Sequence, residues 1–336
     1  MFQQNLIFPL LALATSTSLI VFFLRKKSNK SSSPISVNYH FSRRCNYKCG
    51  FCFHTSKNSN MLSLEQAKIG LQKLKNSGMR KINFAGGEPF LYPKFLAELI
   101  KYCKIDLQIE SVSIISNGSL IKESWLEKNA DYIDILGISC DSFKEDVNVK
   151  IGRGDGRQIS NIFKIRELCF KFNIKFKLNT VVCKYNYMED MNEFIERLQP
   201  FRWKCFQCLI VKTENDGNKN SLRNAEDFLI STEKYMEFIE RHKDQKSLII
   251  ESNSIMKSSY LILDEFMRFL DKGNDNEYVI SESILDVDVD KALSQIKWDL
   301  DSFKLREGEY DWSSHDDSFI NSSIESCSSQ DKSLEW

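Results

Sequence analysis

From residue 36 onward, short runs of alternating apolar and polar residues are separated by longer stretches with apolar residues at helical spacing. The alternating runs are 36–42 (SVNYHFS), 81–85 (KINFA), 111–116 (SVSIIS), 134–140 (DILGISC), 175–182 (KFKLNTVV) and 202–208 (RWKCFQC). Between them, helical spacing predicts helices over 63–78, 94–103, 125–132, 159–173 and 188–198. The first of these opens on Ser63-Leu64-Glu65-Gln66, which has the form of a capping box. Strands alternating with helices of about 10–15 residues predict βα units and a parallel sheet. Six such units fit a partial barrel, with a flat doubly wound sheet as the rival; the period alone does not separate them. Beyond 224 the pattern predicts longer helices over 226–242 and 260–270, then a Ser- and Asp-rich polar tail over 313–336. The expected domains are therefore a barrel over 36–223 and an extension over 224–336.

Alternation assigns faces, because successive side chains on a strand point to opposite sides. Lys175, Lys177 and Asn179 share a face opposite Phe176 and Leu178; Lys81 and Asn83 share one opposite Ile82 and Phe84. Arg202 with Lys204, and Asn38 with His40 and Ser42, do the same. If the apolar faces meet outer helices, the polar faces line a lumen that an ordinary barrel would fill with apolar side chains. Several lysines there imply an anion, and a polyphosphate fits. An open sheet with one wet side is the alternative.

The first 35 residues differ in kind. Residues 6–24 (LIFPLLALATSTSLIVFFL) carry no charge, and Arg25, Lys26 and Lys27 follow at once. The stretch is just long enough to cross a bilayer as a helix. A cleaved leader would carry its basic residues before the apolar run. The basic flank predicts that everything after it lies on the cytosolic side. Membrane attachment through 1–25 is the expectation, either spanning or lying in the interface, with 26–35 as a Lys/Ser linker.

Charge and cysteine content narrow the chemistry. The 46 basic residues equal the 46 acidic ones, so no global field would hold a nucleic-acid polymer. Three of the ten cysteines are clustered and the rest scattered, which reads as reduced thiols plus one metal site. That site is CNYKCGFCFH, with Cys45, Cys49 and Cys52 directly after a predicted strand. Thiolates suit zinc or iron–sulfur clusters. A structural zinc site takes four ligands, and no fourth is near except His54, two residues on. Three thiolates on a four-iron cluster leave one iron open. One βα unit later, Gly86-Gly87-Glu88-Pro89 ends the second strand, where two glycines let the backbone approach a ligand. Cys205 and Cys208 form a CxxC, but a strand puts them on opposite faces.

CxxxCxxC followed by GGEP resembles the radical S-adenosylmethionine (SAM) superfamily. The longer strings SVNYHFSRRCNYKCGFCFH, KINFAGGEPFL, SVSIISNGSLI, ISCDSF, VNVKIGRG, RWKCFQC and SYLILDEFMRFL resemble the viperin family of antiviral enzymes within it, from about residue 36 to 310. The resemblance implies a partial (β/α)6 radical SAM barrel, a helical or loop extension closing the substrate pocket, and an N-terminal membrane-associated helix. It implies a [4Fe-4S] cluster, SAM, and conversion of CTP to 3′-deoxy-3′,4′-didehydro-CTP in antiviral defence. It also implies a place on the cytosolic face of the endoplasmic reticulum or on lipid droplets, an electron donor, and iron–sulfur assembly factors that engage the end at Trp336.

Residue by residue, the resemblance makes Cys45, Cys49 and Cys52 the cluster ligands. Gly86, Gly87 and Glu88 stand at the edge for the SAM amino group, and Asn117, Ser139 and Arg153 line SAM. Lys81, Asn83, Lys177, Asn179 and Lys204 form the triphosphate pocket, and Tyr260 closes over the substrate as the candidate catalytic residue. Three departures stand out: Ala85 where a Ser is usual before GGE, a more evenly apolar N-terminus, and the Ser/Asp-rich tail. The rival functions are a radical SAM enzyme acting on another nucleotide, such as UTP, or on a peptide, and a zinc-stabilised membrane scaffold.

Overall fold

The computed structural model describes residues 33–256, 258–271 and 279–312. The apolar segment 6–24, most of the linker after it and the tail ending at Trp336 lie outside the described residues. The predicted strands form with small shifts at their ends: β1 Ser36–His40, β2 Lys81–Ala85, β3 Ser111–Ser116, β4 Ile135–Ser139, β5 Lys175–Val182 and β6 Arg202–Gln207. Four further strands follow: β7 Leu248–Glu251, β8 Leu261–Leu263, β9 Arg268–Asp271 and β10 Val279–Ser283. All ten make one sheet in the order β10-β9-β8-β1-β2-β3-β4-β5-β6-β7. Pairing is parallel from β8 through β1 to β7, and antiparallel only at β8–β9 and β9–β10.

The sheet curls. β7 and β8 sit at opposite ends of the parallel ladder, yet the Tyr260 hydroxyl, next to β8, donates to Glu251 on β7 at 2.8 Å. Only a sheet bent nearly into a ring brings those two ends within one hydrogen bond, so the partial barrel holds and the flat doubly wound sheet does not. The apolar strand faces pack outward: Val37, Tyr39, Ile82, Phe84, Phe176, Leu178 and Trp203 are buried in one core with Leu71, Leu99, Ile165 and Phe238 from the helices. The helix Leu64–Asn76 begins where expected, with Ser63 and Gln66 capping each other's backbone.

Three predicted helices are corrected. The stretch 260–270 is a hairpin: Asp264 accepts from the Phe266 and Arg268 amides, and Met267 turns the chain at φ 59°. Apolar residues at 261, 263, 267 and 270 satisfy either period, and the Asp264-Glu265 turn decides. The expected helix 226–242 is a 3-10 turn, Ala225–Phe228, and a helix, Thr232–Arg241, that starts on the Ser231 cap. The helix expected over 188–198 begins only at Asn192, because Glu189 is occupied holding the Ser142 hydroxyl and the Phe143 amide. One short helix, Glu145–Ile151, has no counterpart in the periodicity; Gly152 ends it in the left-handed conformation.

Candidate active site

The cysteine loop leaves the end of β1 and is pinned from both sides. On one side, Gly87 N–H donates to the Ser42 carbonyl and Glu88 N–H to the Arg44 carbonyl, both at 2.8 Å. A side-chain carbon at Gly87 would run into the Arg44 carbonyl, so only glycine permits this approach. On the other side, Lys48 N–H donates to the Gly152 carbonyl at 3.0 Å and Gly50 N–H to the Ile151 carbonyl at 2.9 Å. Gly152 sits at φ 89°, and any Cβ there would strike the Lys48 carbonyl. Cys45, Cys49 and Cys52 are free, half-buried thiols that line one cavity of about 360 Å³. Burial pushes all three thiols up, Cys45 to about 11 and Cys49 to about 12. Without a metal they hold their protons.

The residues expected around SAM gather at this mouth. Gly86, Gly87, Asn117, Ser139 and Arg153 line the same cavity. Glu88 is different: its carboxylate is buried and fully engaged, accepting from the Phe90 amide, the Ser116 hydroxyl and the Asn117 amide at 2.7–3.0 Å. It holds the end of β3 against the GGE turn and, unlike Gly86 and Gly87, does not line the cavity. Asn117 donates to Asn46 at 2.9 Å. The Arg153 Nε is held by Asp141, whose other oxygen accepts from the Val181 amide. The guanidinium thus reaches the cavity from a fixed side.

Below the mouth the lining is cationic. Lys81, Asn83, Lys177, Asn179 and Lys204 all face the cavity, as alternation predicted. Lys81 donates to Ser111 at 2.8 Å and Ser113 at 3.0 Å. Lys177 has no hydrogen-bond partner among the described residues, and the side-chain oxygen of Asn179 is buried without one. Burial lowers Lys81 and Lys177 well below the usual lysine range, and neighbouring cations push Lys177 further. Lys204 falls to about 8, again chiefly through burial, although Glu251 beside it opposes the fall. Three buried lysines with one carboxylate among them form a site short of negative charge. Two cations of the same strand faces go elsewhere: Lys175 pairs with Asp311, and Arg202 stacks on Tyr310 at 4.2 Å.

Tyr260 closes the lower side of the cavity. Its hydroxyl donates to Glu251 and accepts from Lys204 at 2.9 Å. Burial raises its pKa far above the usual phenol value, so the group is neutral. Arg306 lies over its ring at 3.8 Å, pairs with Glu251 at 3.5 Å and lines the cavity. Arg306 escapes a reading of the sequence because it sits in a short helical turn far from any motif. Gln158 escapes it too. Buried, it ties the Asn117 and Ser139 carbonyls together at 2.9 Å each and accepts from Tyr47 of the cysteine loop. Neither residue has a signal in a single sequence.

Among the described residues no three His, Cys, Asp or Glu side chains converge on a point that would hold a single ion. A four-iron cluster asks for something else, one thiolate per iron around a shared space. The all-sulfur donor set, its rigid loop and the open cavity beside it fit such a cluster with one iron left for SAM.

The chain is similar to known proteins in sequence and in fold. A family model described as the radical SAM superfamily matches residues 39–198. The S-adenosylmethionine-dependent nucleotide dehydratase RSAD2 of Oncorhynchus mykiss is 53% identical over 295 residues, covering 86% of this chain and 84% of that protein. The RSAD2 of Danio rerio is 54% identical over 291 residues, covering 85% and 80%. The S-adenosylmethionine-dependent nucleotide dehydratase of Flammeovirga pacifica is 35% identical, covering 82% and 96%. Among solved structures, Streptococcus suis SuiB bound to S-adenosylmethionine superposes with a TM-score of 0.59 at 18% identity, over 92% of this chain and 76% of that one. The AdoMet-bound anSMEcpe superposes at 0.59 and 17%, over 79% and 81%. At that identity the likeness concerns the fold.

Proposed function

This chain belongs to the viperin family of radical SAM enzymes, the S-adenosylmethionine-dependent nucleotide dehydratases, and on that premise we propose that it dehydrates CTP to 3′-deoxy-3′,4′-didehydro-CTP. It is a radical SAM nucleotide dehydratase that uses a [4Fe-4S] cluster and SAM. The observation that carries the choice of a triphosphate is the anion-deficient floor of Lys81, Lys177 and Lys204 beneath the three cysteines.

When bound, the cluster and SAM supply the radical that removes the ribose 4′-hydrogen. The chain's own residues do the placing. Cys45, Cys49 and Cys52 hold the cluster, and the Gly86–Gly87 edge, Asn117, Ser139 and Arg153 receive SAM. Lys81, Lys177, Lys204 and Arg306 draw the triphosphate down, so the ribose stands between floor and mouth, next to SAM. Holding both reactants at contact supplies much of the rate, and the enclosing wall keeps water away. Loss of the 3′-hydroxyl as water takes one proton and one further electron, so each turnover consumes two electrons in all. Tyr260, a neutral phenol in a Lys204–Glu251–Arg306 network, closes the floor. UTP and other nucleotides remain rivals for the pocket; peptides suit it less, because an extended backbone carries no net charge to offset three buried lysines.

The apolar segment 6–24 attaches this activity to the cytosolic face of a membrane, of the endoplasmic reticulum or of lipid droplets; its uncharged, largely apolar run and basic flank support this. Removal of residues 1–25 would then shift the protein from the membrane to the soluble fraction. The Trp336 end engages the cluster-assembly machinery, and the product serves antiviral defence.

The test is anaerobic reconstitution with iron and sulfide, then SAM, reductant and each nucleoside triphosphate in turn. The expected result is 5′-deoxyadenosine formation stimulated most by CTP. No 5′-deoxyadenosine with any nucleotide would overturn the enzyme reading, and equal stimulation by UTP would overturn the base assignment.

A further inference from the structure

Resting on that reading, the two electrons of each turnover must come from outside, and the solvent side of the cysteine loop carries a structure suited to their donor. The outer turn of the loop, 48–52, is ringed by cations. Lys48 is exposed, and its amide bonds the 151–152 turn. Arg223, half-buried, donates to the Cys49 carbonyl at 3.2 Å. Phe51 packs edge-on against Phe228, which packs edge-on against Tyr185. Exposed Lys150 and Lys184 both lie over that Tyr185 ring, at 4.4 and 5.2 Å. Around these cations the exposed carboxylates are Glu226 and Asp227, Asp146 one turn before Lys150 on the same helix, and Asp155, which is already paired with Arg157. In a chain of balanced charge, this is a local positive rim around the loop that holds the cluster.

We infer that this rim docks an acidic one-electron carrier protein. Complementary rim charge raises encounter rate and fixes orientation more than it adds buried contact. The carrier is oxidised by one electron, the cluster is reduced by one, and no atom is transferred. Lys48, Lys150 and Lys184 contact neither the cavity nor the cysteine sulfurs in the described contacts, so their task is separable from catalysis.

The test uses a flavodoxin as the acidic probe and the full chain, with Lys150→Glu/Lys184→Glu as the variant. Flavodoxin affinity is titrated at low and high salt, and 5′-deoxyadenosine formation is measured with flavodoxin and, separately, with dithionite. The expected result is salt-sensitive binding to the wild type, weakened by about tenfold or more in the variant, with the dithionite-driven rate and the melting temperature unchanged. Absent or salt-insensitive binding to the wild type, or unchanged affinity in the variant, overturns the docking face. Failure of dithionite to support any SAM cleavage while flavodoxin still binds at the rim would instead count against the enzymatic reading.

Discussion

Lys177 is the residue on which the nucleotide assignment leans most. It sits in the cavity without a hydrogen-bond partner among the described residues, pushed down by burial and by Lys204 and Lys81. A charge-assisted bond to phosphate is worth about 2 kcal/mol, so Lys177→Ala should weaken CTP binding by roughly thirtyfold while slow, uncoupled SAM cleavage persists. Calorimetric titration checks this, and unchanged affinity would remove Lys177 from the triphosphate pocket. The same lysines fix a pH dependence. Lys204 lies near 8 in the free site, and a bound polyanion raises it again. The contribution of Lys204 is then complete below pH 8 and is lost as pH rises above that value, and binding above pH 8 takes up protons. Titrations at pH 8.5 in buffers of different ionisation enthalpy should show that uptake; proton release would contradict the site. Asp141 acts one step back, through Arg153. Asp141→Asn should raise the KM for SAM with little change in melting temperature. In an Arg153→Met background the same change should have no further effect, the non-additivity expected of two residues in one interaction. Additive losses would make Asp141 merely structural.

At the scale of elements, the site is built by turns that clamp one another. The cysteine loop is bonded to the GGE turn on one side and to the Ile151–Gly152 turn on the other. Gly152→Ala would push a methyl group into the Lys48 carbonyl and strain a left-handed residue. Iron content and visible absorbance after reconstitution should fall well below wild type; full loading would show that the clamp is dispensable. The central strands are legible in the sequence because each alternates cleanly and the buried face is continuous: Ile82 and Phe84 against Lys81 and Asn83, Phe176 and Leu178 against Lys177 and Asn179. The same alternation marks out the cationic lining. What period does not resolve is 260–270, whose apolar spacing suits a helix or a hairpin; a single acidic turn at Asp264 decides it. Nor does it show Arg306 or Gln158, whose partners lie far away along the chain. Glu88 is legible as a site residue, but only its neighbours reveal that the carboxylate serves the Asn117 turn.

At the scale of the whole molecule, the last third of the described chain turns an open arc into a closed vessel. β7 extends one end of the ladder, β8 to β10 extend the other, and the Lys204–Glu251–Tyr260–Arg306 network joins them across the gap. Residues 306–312 then cross the strand starts, with Arg306 bonded to the Ser259 carbonyl, Glu309 to Arg80 and Asp311 to Lys175. The outcome is one cavity with cysteines at its mouth and lysines at its floor, a polarity that sets which part of a nucleotide meets SAM. The central claim is that the triphosphate lies on that floor and the ribose 4′-carbon lies next to SAM. The most direct measurement is an anaerobic turnover of CTP deuterated at the 4′ position, with mass analysis of the 5′-deoxyadenosine formed. The account predicts one deuterium in the 5′-deoxyadenosine, and a nucleotide product that has lost that deuterium and the 3′-hydroxyl group. Unlabelled 5′-deoxyadenosine formed at a CTP-stimulated rate would contradict it.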